Sequence, residues 1–310
     1  MSNFILRTLQ QDQWPAVAEL ICYSIRDYFA AVGKRGRFPN GPESTLLFPE
    51  VYEAMDPGCC LVVEDTSNHR LAGSCFYHPR SHHISIGIMN VHPDYFGRGV
   101  ARLLMQRICQ IADESSKPIR LVSSAMNIDS FSLYTRAGFV PRDLFQIMTI
   151  KVDEKGLNAD HPDLSRVRPA TVNDVPAMAK LEWEVSGIKR ESDYLYFLRN
   201  SAGIWKVFVI DQPGGTGIDG FVVSIKHPAS VMIGPGVMRN ESAAAALILY
   251  ALNDMKGASP ACLVPAAKYN LVKQLYAWGL RNTELAVFQC RGHAAPFNGV
   301  NIPTFMPETG

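Results

Sequence analysis

The first half of the chain alternates apolar stretches of two different periods. Short apolar runs bounded by turn residues are typical of strands, and a longer stretch from about 98 to 115 carries apolar residues at helical spacing, such as Val100, Leu104 and Ile108. This order is typical of a mixed α/β domain. The pattern predicts a strand at 4–8, helices between about 11 and 55, strands near 59–64, 71–78 and 83–91, the 98–115 helix, a strand at 119–124, a helix at 128–137 and a terminal strand pair through Lys151.

The second half repeats the first. Arg, Pro, Ala, Ala and Leu recur at a constant offset between Arg7–Leu20 and Arg168–Leu181, and the LYTRAGF block ending at Phe139 is echoed by LYAWGL ending at Leu280. Echoes in the same order favour two copies of one fold. The second copy has predicted strands near 205–211, 219–226, 230–238 and 261–265, with a central helix, SAAAALILYALNDM. We expect domains at 1–152 and 166–310, joined by a polar linker at 153–165.

Composition narrows the class of protein. The chain has 310 residues, 47% hydrophobic and 19% charged, with a net charge of +1, which is typical of a globular protein and gives no electrostatic case for nucleic-acid binding. We expect no membrane association, and the N-terminus lacks the pattern of a signal peptide, which favours a cytoplasmic location. The seven cysteines lack ligand spacing, and the histidines His78, His82, His83 and His92 lie on different strand faces. Neither a disulfide framework nor a metal site is expected.

A glycine-bearing turn follows the 83–91 strand. Gly97 and Gly99 stand just before the 98–115 helix, in the segment VHPDYFGRGVARLL. Glycines let the backbone pass close to a ligand, and the free amides and positive dipole of the first helical turn attract anions. This turn therefore predicts a phosphate or pyrophosphate site. In a second block, NIDSFSLYTRAGF, Asn127 and Tyr134 stand about two helical turns apart.

These two blocks resemble the signatures of the GNAT N-acetyltransferases. Val91, His92 and Pro93 match the strand end of the first signature, and Gly99, Val100 and Ala101 match the second half of its loop. Phe96 departs from the family, which usually has Gln or Arg there. The second signature, N-x-x-A/S-x-x-x-Y-x-x-x-G-F, is matched in full by Asn127, Ser130, Tyr134, Gly138 and Phe139. The resemblance implies two tandem GNAT-like domains, each a mixed, mostly antiparallel sheet flanked by helices.

The resemblance also implies how a carrier, acetyl-CoA, is held. The amides of Gly97 to Arg102, which include Gly99, Val100 and Ala101, would bind the pyrophosphate, and Arg98 and Arg102 would add charge. The backbone of Met89 and Val91 would pair with the pantetheine amides. Ser130 belongs to the same set, and Asn127 would either contact the carrier or cap its helix.

For the chemistry, the resemblance gives Tyr134 the role of the acid that protonates the leaving thiolate. The base that deprotonates the acceptor is open. Val122 occupies the place where some relatives have a glutamate, which leaves His83, Glu64 or a chain of waters. By strand alternation, His83 and Ser85 share the side of Val91, unless a bulge reverses it.

The second copy lacks the glycine turn and has Glu241 near the helix start, so we expect it to be non-catalytic. Its tail, from Phe297 to Gly310, is expected to pack on the first copy and wall the acceptor site, or to form a dimer contact. The loop from Asp27 to Ser44 is either an ordinary solvated loop or a cover for the acceptor site. In the second case Tyr28, Phe29 and Phe38 could frame an acceptor, and Lys34, Arg35 and Arg37 could favour a carboxylate.

The expected activity is acetyl transfer to the primary amine of a small molecule, by direct attack in a ternary complex. The alternatives are a protein or peptide N-acetyltransferase and a non-catalytic acyl-CoA-binding sensor. We expect a small-molecule partner and either a monomer or a homodimer.

Overall fold

The structure, a computed structural model, describes residues 3–34 and 36–310. Arg35 therefore lies outside the described residues. The strands are β1 Phe4–Thr8, β2 Cys60–Asp65, β3 Arg70–Pro79, β4 Ile84–Val91, β5 Ile119–Ser124, β6 Val140–Thr149, β7 Val167–Pro169, β8 Trp205–Asp211, β9 Ile218–His227, β10 Ser230–Met238, β11 Ala261–Pro265, β12 Arg281–Arg291 and β13 Val300–Ile302. The helices are α1 Trp14–Ala31, α2 Pro42–Thr45, α3 Leu47–Met55, α4 Val100–Glu114, α5 Ile128–Arg136, α6 Val175–Ser186, α7 Glu191–Arg199, α8 Glu241–Asp254 and α9 Tyr269–Ala277.

The strands form one continuous sheet in the order β1-β2-β3-β4-β5-β12-β6-β11-β10-β9-β8-β7, with β13 paired to β10. Within the first half, alternate strand residues face two different sets of helices. One set, which includes α4 and α5, buries Val63, Cys75 and Tyr134, and we call this side the α4 face. The other set, which includes α1 and α3, buries Val62 and Phe76, and we call it the α1 face. The expectation of a mixed, mostly antiparallel sheet flanked by helices is confirmed.

The two halves exchange one strand each. β12 comes from the second half but lies between β5 and β6, and β6 comes from the first half but pairs with β11. The expected terminal strand pair through Lys151 is therefore wrong, since β6 is a single strand and its partner, β12, is supplied by the other half. A period-2 pattern specifies which residues face the core but not which strand lies alongside.

The two parallel pairs of the sheet, β4 with β5 and β10 with β11, are both very short. In the first half only Ile84 faces Ile119 and Ser85 faces Arg120, after which the strands diverge. We call this opening the first fork. A bulge in β4 follows at once: Tyr77 of β3 faces Ile86, whereas Cys75 faces Met89. The extra residue bends the strand away from its neighbour and changes which side chains share a face.

The second half has a similar fork, but it is filled. β10 and β11 pair only at Met232 and Ile233, and beyond a second irregularity the residues Gly236–Met238 pair with β13. A piece of the chain's own C-terminal region thus occupies the gap in the second half. Along the matching stretch of β4, the edge that faces β5 has no strand partner among the residues described.

Candidate active site

The turn between β4 and α4 exposes a row of backbone amides. Gly97 and Gly99 have φ values of 74° and 85°, in the left-handed region that favours glycine, and Gly99 is the N-cap of α4. Within the described chain, the amides of Gly97, Gly99, Val100, Ala101 and Arg102 donate to no backbone or side-chain acceptor. They point out of the positive end of a 15-residue helix. This arrangement is suited to binding a phosphate or pyrophosphate.

The charged side chains near this turn differ in how they are held. The guanidinium of Arg98 lies over Tyr95 at 4.7 Å and over Phe4 at 5.0 Å, and its nearest carboxylate oxygen, on Asp65, is 3.7 Å away. Arg102 is exposed in the first turn of α4. Phe96, just before the turn, is 56% exposed. An anion bound at this turn would therefore meet the free amides and these two arginines.

The β4 edge at the first fork leads from this turn toward the centre of the sheet. On one side Met89 and Val91 pair with Cys75 and Gly73 of β3. Their other side faces the fork, where β5 has diverged. An extended molecule with amide groups could add to this edge as a strand would.

Helix α5 places Tyr134 against the fork on the α4 face. The side chain of Asn127 caps this helix by accepting the amide of Ser130 at 3.1 Å. Capping is therefore the role that the structure shows for Asn127. Tyr134 is 7% exposed, and its ring packs against Phe139 at 5.9 Å between centroids. Burial raises the pKa of Tyr134 well above its ordinary value, so the phenol keeps its proton and remains a donor at neutral pH.

His83 lies on the opposite face from the one that alternation predicts. The bulge puts Ile84 and Ile86 on the α4 face with Val91, and His83 on the α1 face. Its Nε2 lies 3.3 Å from the carbonyl oxygen of Thr309, which accepts the hydrogen bond. Burial, together with the nearby guanidinium of Arg120, lowers the pKa of His83 well below 6.5. Such an imidazole is a weak base, so its role as general base gains no support.

Glu64, the other candidate from the sequence, lies on β2 against β1, and its partners are Arg7 at 2.6 Å and His69 at 3.0 Å. The hydrogen bond from Arg7 lowers the pKa of Glu64. A carboxylate held by an arginine at the edge of the sheet is poorly suited to deprotonate an amine in the fork.

A carboxylate that sequence reasoning did not single out reaches the fork from the tail. Glu308 lines a small cavity with Ile86 of β4 and with Leu121 and Val122 of β5. The hydroxyl of Tyr52, on α3, donates to its Oε2 at 3.3 Å. Burial raises the pKa of Glu308 well above 4.5. The signal in the sequence was a lone acidic residue in the apolar segment IPTFMPETG.

A known protein family matches the first half of the chain, which carries the glycine turn and Tyr134. Residues 24–139 match the model of the acetyltransferase (GNAT) family. We refer to residues 24–139 as the GNAT domain, after the family model that they match. The match covers the glycine turn, both strands of the first fork and Tyr134, and it ends at Phe139, the last residue of the second signature.

Solved structures extend the likeness to the fold of the whole chain. A candidate acetyltransferase from Pyrococcus horikoshii is similar over 100% of this chain and 97% of its own, with a TM-score of 0.76 and 14% identity. A tandem GNAT protein from the clavulanic acid biosynthesis pathway is similar over 94% of this chain and 100% of its own, with a TM-score of 0.62 and 14% identity. The fold is thus that of a tandem GNAT protein.

Among curated proteins, the UPF0157 protein YqkA of Bacillus subtilis is 36% identical over 72 residues, or 23% of this chain. The chain spans about a fifth of the length of that relative, 21%.

On the α1 face, the GNAT domain meets a strand of the second half. Glu284 on β12 accepts from Lys34 Nζ at 3.2 Å and from the hydroxyl of Tyr28 at 3.3 Å, and the hydroxyl of Ser124 at the end of β5 also donates to it. Arg37 lies 4.6 Å from the ring of Phe29. Two residues of the Asp27–Ser44 segment, Tyr28 and Lys34, are thereby brought to the end of β5.

Phe38 does not join that group. Its side chain is 6% exposed and packs against Phe48, so it is a core residue and does not frame an acceptor.

The second half has none of the GNAT domain's carrier features in the described chain. Asn240 caps α8 by accepting the amide of Ala243 at 2.9 Å, and Glu241 accepts the amide of Leu271 at 2.7 Å. Tyr276 is 40% exposed and donates to Gln146, so it does not reach a fork. With β13 in the second fork, this half has no free strand edge at the corresponding place.

The described residues hold neither a cluster of metal ligands nor a membrane-spanning helix. No group of three or more His, Cys, Asp or Glu side chains among them could hold a metal ion. None of the helices described is long and apolar enough to span a bilayer.

Proposed function

We propose that this protein is an acetyl-CoA-dependent N-acetyltransferase that transfers an acetyl group to the primary amine of a small molecule, by direct attack in a ternary complex. The observation that carries the proposal is the open edge of β4 past the bulge, which runs between the free amides at Gly97 and the mostly buried side chain of Tyr134. A carrier with a pyrophosphate at one end, amides in the middle and a thioester at the other fits that sequence of features.

Each part has a defined role in this proposal. The amides of Gly97 and of Gly99 to Arg102 hold the pyrophosphate, with Arg98 and Arg102 adding charge. The backbone of Met89 and Val91 pairs with the pantetheine arm along the open edge. Ser130 and the Asn127 cap fix the start of α5, so that Tyr134 can give its proton to the departing thiolate.

A small acceptor is favoured over a polypeptide by the space at the fork. The cavity between β4, β5 and the tail has a volume of about 10 Å³, which is room for roughly one water molecule. The tail supplies much of the wall of this cavity, and Arg190 and Pro235 of the second half also line it. A small amine requires less displacement of these elements than a folded protein would.

The proposal is tested by thiol release from acetyl-CoA across a panel of primary amines. We expect turnover with at least one amine and a fall of about 10²-fold or more in kcat for Tyr134→Phe. Tyr276→Phe is the matched control, since it removes the corresponding phenol from the second half and should leave kcat unchanged. Binding of CoA without turnover of any amine would argue for a sensor, and absence of CoA binding would overturn the carrier site itself.

A further inference from the structure

The tail of the chain lies between the two halves and is held by one side chain from each. Arg190, in the connection between α6 and α7, donates to the hydroxyl of Thr309 at 2.7 Å. His83 of the first half holds the carbonyl of the same residue. Arg190 is itself fixed by Glu182 at 2.5 Å, in a pair that is almost fully buried. The residue before Thr309 is therefore held in place at the first fork.

Glu308 is a carboxylate without a cationic partner. Among the described residues, no lysine, arginine or histidine forms an ion pair with it. Arg190 lines the same cavity but is neutralised by Glu182. The titratable groups that face Glu308 from the surrounding elements are Tyr52 of α3, Cys75 of β3 and Tyr134 of α5. All of these are neutral at pH 7, so none of them stabilises the ionised form of Glu308 by its charge.

Glu308 and Tyr134 reach the first fork from opposite faces of the sheet. Tyr134 packs among the residues of the α4 face, whereas Glu308 meets Tyr52 on the α1 face. The two nevertheless share neighbours: Glu308 lines the cavity with Ile86 and Leu121, and Tyr134 belongs to the buried cluster that contains these same two residues. Acyl transfer to an amine needs an acid beside the departing sulfur and a base beside the attacking nitrogen, and these two groups lie on the two sides of one gap.

We propose that Glu308 is the general base that removes the proton from the acceptor ammonium. This inference rests on the proposed function. It assigns to the second half a catalytic residue for the site of the first, carried by a tail that His83 of the first half and Arg190 of the second half hold between them. A carboxylic acid whose pKa lies above its ordinary value is better matched to an ammonium than an exposed glutamate is.

The protons and bonds balance as follows. Glu308 takes one proton from the ammonium, and the freed nitrogen lone pair attacks the thioester carbonyl to form the C–N bond. As the tetrahedral intermediate collapses, the C–S bond breaks, the nitrogen loses its second proton to solvent and the thiolate takes the proton of Tyr134. Solvent then restores the proton on Tyr134 and removes the one on Glu308. The products are the amide, free CoA and one released proton.

The test compares two kinds of acceptor in wild type and Glu308→Gln, which keeps the shape of the side chain. The first is the best primary alkylamine from the panel, which is protonated at neutral pH. The second is methoxyamine, whose nitrogen is already unprotonated there. We expect Glu308→Gln to lower kcat with the alkylamine by about 10²-fold or more and to change it only a few-fold with methoxyamine. Glu308→Asp should recover part of the loss.

A second variant measures the pH profile. The hydroxyl of Tyr52 donates to Glu308 and lowers the pKa of that carboxyl. Tyr52→Phe should therefore move the acidic limb of kcat/KM to higher pH, and Glu308→Gln should abolish the limb.

The outcomes separate the proposed function from the role of Glu308. An inactive wild type overturns the proposed function and, with it, the role of Glu308. An active wild type whose rate and pH profile are unchanged in Glu308→Gln overturns this inference alone. A faster Glu308→Gln enzyme also overturns it, because the tail would then be an obstruction that the acceptor must displace.

Discussion

Phe145 of β6 lies directly opposite Ala286 of β12, in the antiparallel pair that joins the two halves of the molecule. Each of these strands comes from one half of the chain and pairs with a strand of the other half. Both residues are fully buried, so the seam between the halves is part of the core. The proposed boundary near residue 152 separates two sequence repeats but not two independent sheets.

A fragment of residues 1–152 should therefore fail to fold by itself. It would lose β12 and expose the edges of β5 and β6 along with buried apolar side chains, which invites aggregation. We expect poorly dispersed amide resonances and no CoA binding from this fragment. Co-expression with residues 153–310 should restore both the dispersion of the resonances and the binding of CoA. A fragment that is monomeric, well dispersed and able to bind CoA would contradict the prediction.

Gly97→Ala should weaken CoA binding as well as stability. The φ of 74° costs a residue with a Cβ about 1–2 kcal/mol, although the new methyl group would meet no atom within 4 Å. Relief of that strain would turn the free amides away from the carrier. Gly214→Ala in the β8–β9 loop is the matched control, with a φ of 90° and the same open space.

Both variants should lose similar free energy of unfolding in a denaturant titration. Only Gly97→Ala should raise the Kd for CoA, measured by calorimetry. Equal affinities in the two variants would show that the turn does not bind the carrier.

Asn127 should act through its cap. Asn127→Ala is expected to lower the free energy of unfolding by about 1 kcal/mol, because the amide of Ser130 loses its acceptor. Asn127→Asp keeps a capping oxygen and should retain activity within a few-fold. The cap at Asn240 offers a control, since Asn240→Ala should cost a similar free energy without changing the KM for acetyl-CoA. A large rise of that KM in Asn127→Asp would instead point to a direct contact between the side-chain amide and the carrier.

His83 should make stability depend on pH. Because its pKa in the folded protein lies well below 6.5, the unfolded chain binds a proton first as the pH falls. The stability tied to neutral His83 is therefore present above about pH 6.5 and decreases below it, at up to about 1.4 kcal/mol per pH unit. The raised pKa values of Glu182 and Glu308 act in the opposite direction, so the difference between variants is the useful quantity.

We expect the free energies of unfolding of wild type and His83→Gln to converge between pH 6.5 and pH 5 when followed by urea denaturation. Parallel curves over this range would mean that the imidazole is not held neutral in the folded state.

The sequence was a good guide to local features and a poor guide to partners across the sheet. The glycine turn, the α5 cap and the order of strands in each copy follow from spacing and residue type, and the structure has them at Gly97–Gly99, Asn127 and β2–β5. The exchange of β6 and β12 does not follow, because an alternating strand fits equally well beside several neighbours.

Two features of the site were also hidden from sequence reasoning. The bulge that moves His83 to the α1 face depends on one extra residue in β4, which composition does not reveal. Glu308 lies 174 positions beyond Tyr134 in the printed numbering and is brought to the fork only by the folding of the tail. Groups that are remote in sequence meet through tertiary structure, and a motif search along the chain cannot pair them.

The sheet has a fork in each half, and the two forks differ in that β13 occupies the second, whereas no strand among the described residues occupies the first. In the second half, three residues of peptide lie across Gly236–Met238 and saturate the edge with main-chain hydrogen bonds. By analogy, β13 indicates what kind of ligand the first fork should bind: an extended molecule with several amide groups, lying antiparallel to β4. A tripeptide with the sequence of Val300–Ile302 thus gives a starting scaffold for inhibitors that compete for the first fork, drawn from the protein's own chain.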